Sequence, residues 1–172
     1  NYHAWWNMPA LPKFNTNTAA VRDFIFDVAA HWIEFGADGW RLDVPEEIDD
    51  DSFWQEFRRR VKAANPEAYI VGEIWFPAQR WLQGDQFDAV MNYPVTRACL
   101  GFVVGDELER KEIARSGYQE IDTLDAQGFS KEINRVLGLY PRPVTEVQFN
   151  LLGSHDTPRF KTLARGDNSS YR

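Results

Sequence analysis

The chain has 172 residues, 44% hydrophobic and 15% aromatic, with 26 acidic against 19 basic side chains and a formal net charge of -7. That content suffices for one sizeable core and excludes a disordered chain. The acidic balance argues against a nucleic-acid partner, which would need a basic face to displace counterions from phosphates, and favours a neutral ligand.

Near the start, Thr16 or Asn17 can cap a helix in which Val21, Phe24, Ile25, Val28, Trp32 and Phe35 recur at helical spacing until Gly36 stops it. A strand from Gly39 to Val44 follows. Ser52, with Gln55 three residues on, reads as a capping box opening a second helix through Phe53, Phe57 and Val61, which ends before Pro66. Strands are then predicted at Tyr69 to Trp75 and Phe87 to Tyr93, followed by a helical stretch from Pro94 to Val104. The charged segment from Gly105 to Asp125 reads as a solvated helix or loop without chemistry. A helix carrying Phe129, Ile133, Val136 and Leu137 precedes a fourth strand, Val147 to Leu152.

This alternation implies parallel strands joined by right-handed crossovers, hence an α/β architecture. Only four strands are visible, whereas a closed (β/α)8 TIM barrel needs eight and about 250 residues. The chain, which ends in SSYR just past the fourth strand, is therefore read as residues 1–172 of a partial barrel domain, a fragment of a longer polypeptide. Half a barrel leaves sheet edges exposed, so the isolated fragment is expected to be inactive or self-associating, with a homo-oligomer among its partners.

Three of the four strands lead into an acid: Asp43 ends GADGWRLD, Glu73 lies in YIVGEIW and Asp156 ends VQFNLLGSHD. Gathering catalytic groups at C-terminal strand ends is how a parallel barrel builds its site. Residues two apart in a strand share a face, so Arg41 points the same way as Asp43 and holds it ionised, as a carboxylate nucleophile requires. Glu73 has apolar neighbours in Val71 and Ile74, with Trp75 just beyond and no adjacent base in sequence. Such surroundings, with other carboxylates nearby, favour its protonated form and a general-acid role. A proton donor paired with an ionised carboxylate is the machinery of glycoside hydrolysis. Asp156, fixed by the turn-forming Thr157-Pro158-Arg159, suits a ligand contact.

Other chemistries fit less well. Ser154, His155 and Asp156 are neighbours in sequence and cannot line up as a catalytic triad, and no G-x-S-x-G elbow exists. His3, His31 and His155 lack metal-ligand spacing, and His31 falls on a helix beside Trp32, where packing or solvent exposure explains it. No catalytic metal and no phosphate loop is expected. Cys99, the only cysteine, reads as a buried structural thiol. No segment approaches the ~20 apolar residues of a membrane span, and NYHAWWNMPALPKFN lacks the pattern of a leader. A soluble chain with no membrane partner is expected, a cytoplasmic address being preferred.

GADGWRLDVPEEI, YIVGEIW and FNLLGSHDTPRF resemble, in order and separation, successive signature segments of the α-amylase family, glycoside hydrolase family 13. MPALPKFN and FDAVMNYP resemble two further segments, so the similarity covers nearly the whole chain. The resemblance implies about the fourth to seventh strands of the barrel and retaining hydrolysis of α-1,4 or α-1,6 glucosidic links. In this scheme Asp43 is the nucleophile, Glu73 the general acid/base, and Asp156 the carboxylate that binds and distorts the donor sugar. Arg41 and His155 match accompanying donor-subsite residues; Trp75, Glu46 and Glu47 are further substrate-binding candidates. The wording is closest to neopullulanases, cyclomaltodextrinases and maltogenic amylases, although Glu46-Glu47 stands where those usually have Asn-Glu. The partner is an α-glucan and no cofactor is required, with structural calcium in a longer parent left open. The competing reading, a non-catalytic homologue or isolated half-barrel that binds carbohydrate or a partner without turnover, is weakened by the intact set of three acids.

Overall fold

The computed structural model describes residues 2–118 and 120–164; the closing SSYR lies outside the described residues. Two compact units are present, one comprising the chain through Glu73 with Arg80–Asp88, the other Ile74–Gln79 with the chain from Ala89 onward. Among the described residues no helix is long and apolar enough to cross a membrane.

In the first unit, helix α1 (Ala19–Phe35) leads to strand β1 (Gly39–Leu42), helix α2 (Asp51–Ala64) and strand β2 (Tyr69–Gly72). The two strands pair in parallel, Gly39 opposite Tyr69 through Leu42 opposite Gly72. The Glu73 N–H donates to the Leu42 carbonyl at 2.9 Å and carries the ladder one step further. The predicted parallel arrangement with a helical crossover is therefore present here. Both strands stop short of their predicted ends at Val44 and Trp75. After β1 the cause is local: Val44 turns left-handed and Pro45–Glu47 forms a 3-10 turn.

Thr18 stands at the N-cap position of helix α1 without a side-chain cap bond, and Gly36 closes it in the left-handed conformation. Neither Thr16 nor Asn17 caps it; the Asn17 N–H instead bonds the Asn15 side chain at 3.1 Å, forming a local turn ahead of the helix. Its buried residues are Phe26, Ala29 and Ile33, spaced as one helical face. Phe24, Trp32 and Phe35 from the predicted stripe are exposed. The sequence is apolar on two sides of this helix, and packing against α2, where Phe26 meets Phe53 at 5.0 Å, selects one of them. His31 packs against Trp32 and Phe35, as expected for a helical histidine in that company.

The start of α2 also differs from expectation. Asp50, not Ser52, is the N-cap: its carboxylate accepts from the Phe53 N–H at 3.2 Å, from Arg22 at 2.6 Å and from the Ser52 hydroxyl at 2.6 Å. Gln55 turns away to donate to Asp85. A carboxylate is the stronger acceptor and complements the helix dipole, so it displaces the hydroxyl from the cap. The Ser52 hydroxyl first, then Arg22 and the Phe53 N–H, hold the Asp50 carboxyl at about 2, against the opposing effect of burial. Asp50→Ala is expected to cost about 1 kcal/mol at pH 7. Because the folded-state pKa is depressed, this contribution is fully present above the unfolded carboxyl's pKa and fades as pH falls towards 2. Urea melts of wild type and variant should thus converge in acid; an equal gap at pH 3 and pH 7 would contradict the assignment.

Between these elements lies an aromatic core in which Trp54 meets Phe53, Phe57 and Phe87 at 4.9 to 5.6 Å. The Trp54 and Trp40 indole N–H groups donate to the carbonyls of Ile48 and Ala29, both at 3.1 Å. These tryptophans serve packing. Asp88 ties the ladder to the helix by accepting from Ile70 N–H, Arg58 and Lys62. Gly39 is required by close approach: a Cβ there would lie 2.0 Å from the Tyr69 carbonyl oxygen. Backbone cannot yield as a flexible side chain does, so Gly39→Ala is expected to destabilise by about 3 kcal/mol. Chemical denaturation checks this, and a loss below ~1 kcal/mol would show that the two strands can separate there without penalty.

The second unit holds strand β3 (Ala89–Val90) and helices α3 (Tyr93–Val103), α4 (Arg110–Ala114), α5 (Ala126–Leu137), α6 (Arg142–Glu146) and α7 (Phe160–Leu163). The predicted fourth strand is reduced to a single parallel bridge, Met91 opposite Phe149, because α6 runs to Glu146 and the residues after Phe149 bond the start of α3 instead of a strand. The predicted polar segment is also more structured than a solvated stretch, since Leu108, Ile113, Tyr118 and Ile121 within it are buried. Helices α3 and α5 pack together, with Phe102 stacked on Phe129 at 4.5 Å. Cys99, expected to be buried, is half-buried, and this partial burial raises the pKa of its thiol.

Candidate active site

Asp43 and Glu73 each follow the last ladder residue of neighbouring parallel strands, at the same end of the pair. Register explains what joins them. Arg41 lies opposite Val71, so Asp43 and Glu73, each two residues on, share its face. Its guanidinium forms an ion pair with Asp43 through one terminal nitrogen and with Glu73 through the other, the latter at 2.8 Å. The pairing with Asp43 is as expected. The pairing with Glu73 adds a cation that sequence neighbours do not supply: it is non-local and comes from the adjacent strand. Burial of Glu73, whose side chain is 4% exposed, favours the neutral acid, and Arg41 favours the carboxylate.

The turn after Asp43 is strained. Val44 has φ 32° and ψ 57°, a left-handed conformation that costs a β-branched residue about 1–3 kcal/mol. In this conformation its N–H is 3.4 Å from Glu73 Oε2. Glu46 and Glu47 follow and differ in kind. Glu47 is engaged with Lys13, whose ammonium donates to its carboxylate at 2.7 Å and its carbonyl at 3.0 Å. Glu46 keeps a buried Oε2 without a hydrogen bond. Burial raises the Glu46 pKa, and the negative charges of Glu47, Glu73 and Asp43 push the same way against a backbone hydrogen bond. Of the two, Glu47 braces the turn through Lys13, and Glu46 holds a buried carboxylate oxygen without a partner.

In the second unit, His155 and Asp156 follow the Phe149 bridge in a turn where His155 Nε2 lies 3.2 Å from Asp156 Oδ2. Both are exposed. The turn is fixed by Thr157, whose hydroxyl accepts from the Ser154 N–H at 2.8 Å. Trp75 is half-buried among aromatic rings. Its ring stacks on Tyr93 with centroids 3.6 Å apart and planes 4° from parallel, and meets Tyr118 edge-on. Gly117 closes on its benzo edge, where a Cβ would come within 2.8 Å. One face of the Trp75 ring is thus taken up by packing on Tyr93, and the residue as a whole is half-buried.

Sequence reasoning missed Lys13, the Val44 N–H and the bonding between α3 and the His155-Asp156 turn. Lys13 lies within the MPALPKFN segment, which offered a signal; the other two depend on backbone conformation and tertiary contact. Among the described residues no three His, Cys, Asp or Glu side chains cluster so as to hold a metal.

Comparison with known proteins fits this arrangement. The family model for the alpha-amylase catalytic domain matches residues 1–172. The chain is 47% identical to a cyclomaltodextrinase of Geobacillus thermopakistaniensis, over 97% of this chain and 26% of that protein. It is 44% identical to neopullulanase 2 of Thermoactinomyces vulgaris, over 96% of this chain and 25% of that one. Among solved structures, Ttha1563 from Thermus thermophilus superposes with a TM-score of 0.95 at 58% identity, covering 98% of this chain and 35% of that one. The chain thus spans about a quarter of the length of the curated relatives it matches.

Proposed function

The chain belongs to the α-amylase catalytic-domain family, and on that premise we propose that it is the segment of a (β/α)8 barrel, about its fourth to seventh strands, that carries the acids of a retaining α-glucan hydrolase. The observation that carries this reading is the single Arg41 guanidinium joining Asp43 and Glu73 at adjacent strand ends. The substrates proposed are α-1,4- or α-1,6-linked glucans, the class implied by relatives named cyclomaltodextrinase and neopullulanase.

In the first half-reaction an Asp43 carboxylate oxygen attacks the anomeric carbon while the bond to the leaving sugar breaks and Glu73 delivers its proton to the departing oxygen. Arg41 holds the Asp43 carboxylate by their ion pair until then. Once Asp43 is esterified its negative charge is gone, so Glu73 prefers the carboxylate, again supported by Arg41. It then takes a proton from the incoming water or sugar hydroxyl, whose oxygen displaces Asp43. Asp156, with His155 beside it, would grip the hydroxyls of the donor sugar, and Glu46 and Glu47 would be further substrate contacts. No cofactor takes part in this scheme.

The test is stereochemical. The full-length protein carrying this chain, given maltodextrin or a cyclodextrin, is expected to release product that is first α-configured, as seen in the anomeric proton signals before mutarotation. Initial release of the β-anomer would mean single displacement and remove Asp43 as nucleophile.

A further inference from the structure

The second unit contains a bonded route from the core to Asp156 that passes through no other charged group. Tyr93, the first residue of α3, is fully buried and stacked on Trp75. Its hydroxyl donates to Ser154 Oγ at 3.1 Å, and the same oxygen accepts from the Asp156 backbone N–H at 3.2 Å. Neighbouring residues of α3 hold the same segment: the Asn92 side chain bonds Asn150 at 2.9 Å, and the Thr96 hydroxyl donates to the Leu151 carbonyl at 2.7 Å. Asp156 is itself exposed, on a turn. Exposed turns are among the more mobile parts of a fold, and a grip on the substrate needs its carboxylate fixed to within a fraction of an ångström.

We infer that Tyr93 and Ser154 are positioning residues that fix the Asp156 carboxylate for its sugar, with the Ser154 hydroxyl as the relay between a buried aromatic stack and the Asp156 backbone. This rests on the proposed role of Asp156 and adds two residues to it. The two hydroxyls serve distinct needs. Tyr93 contributes a rigid ring that cannot follow the turn, so its hydroxyl is a fixed point. Ser154 is short and tied at both sides, its N–H to Thr157 and its Oγ to Tyr93, so the Asp156 N–H meets an acceptor whose place is set from the core.

The experiment uses the full-length protein with Tyr93→Phe, Ser154→Ala and Asp156→Asn, alone and in pairs. Tyr93→Phe keeps the ring on Trp75 and removes only the hydroxyl. It is expected to lower kcat on maltodextrin about tenfold or more with KM changed less than about threefold. Ser154→Ala should match it, and the Tyr93→Phe/Ser154→Ala pair should be no worse than Ser154→Ala alone, since both cut one route. Adding Tyr93→Phe to Asp156→Asn should cost nothing further on the residual rate. If Asp156→Asn collapses turnover while Tyr93→Phe and Ser154→Ala both keep the wild-type kcat, the positioning inference is overturned and the proposed function stands. If Asp156→Asn itself keeps wild-type turnover, the reading of Asp156 falls and the inference with it. Full additivity of Tyr93→Phe on the Asp156→Asn background would overturn the relay as well.

Discussion

Asp43→Asn in the full-length protein is expected to abolish turnover of both maltodextrin and an activated glucosyl fluoride, whereas Glu73→Gln should spare much of the second reaction. An amide in place of Asp43 cannot supply the anionic oxygen that forms the glycosyl ester, however good the leaving group. The Glu73 proton is needed only where the departing oxygen is a poor leaving group, and its loss should cost roughly 10² to 10⁴-fold on maltodextrin. Fluoride leaves with little protonation, so the glucosyl fluoride rate should fall far less. The structure sharpens the comparison, because both side chains bind the same guanidinium, and each substitution removes one anion from one cation. A purely electrostatic disturbance of Arg41 would thus affect the two variants alike. Parallel losses on both substrates, or a wild-type rate in Asp43→Asn, would defeat the assignment of roles.

The parallel α/β pattern and the acids at strand ends could be read from sequence because both rest on local regularities: residue-by-residue alternation places Arg41 beside Asp43, and Gly36 and Pro66 mark where helices stop. What could not be read depends on partners chosen by the tertiary fold. Helix α1 is apolar on two faces, and only its packing against Phe53 selects Phe26, Ala29 and Ile33 over Phe24, Trp32 and Phe35. Ser52 is a good cap in isolation, but Asp50 two residues earlier also gains Arg22. Trp75 follows Glu73 closely in sequence, but its stack on Tyr93 comes from a tertiary contact that spacing does not show. The second partner of Arg41 is of the same kind. Glu73 is 32 residues away in sequence, yet the β1–β2 register puts it on the same face.

That register makes Arg41→Met the substitution with the largest expected effect on stability among those touching the site. Methionine keeps the aliphatic stem packed but leaves the 4%-exposed Glu73 side chain without the guanidinium at 2.8 Å. Breaking fully buried pairs costs ~3 to 5 kcal/mol; because the Arg41 side chain is 32% exposed and water screens part of the contact, about 2 kcal/mol is expected at pH 8. The pH dependence follows from the same argument. Without Arg41, burial raises the folded-state pKa of Glu73 above its unfolded value. In the variant, folding is therefore penalised once pH rises past the unfolded carboxyl's pKa of about 4.3, and the penalty grows until pH passes the folded value. The gap between variant and wild type should be small at pH 4 and full at pH 8. Adding Glu73→Gln should recover most of the loss at pH 8, since no buried charge then lacks its cation. Urea denaturation at the two pH values measures this, and an equal loss at both, or no recovery in the double variant, would show that Arg41 stabilises the site by packing and not by its charge.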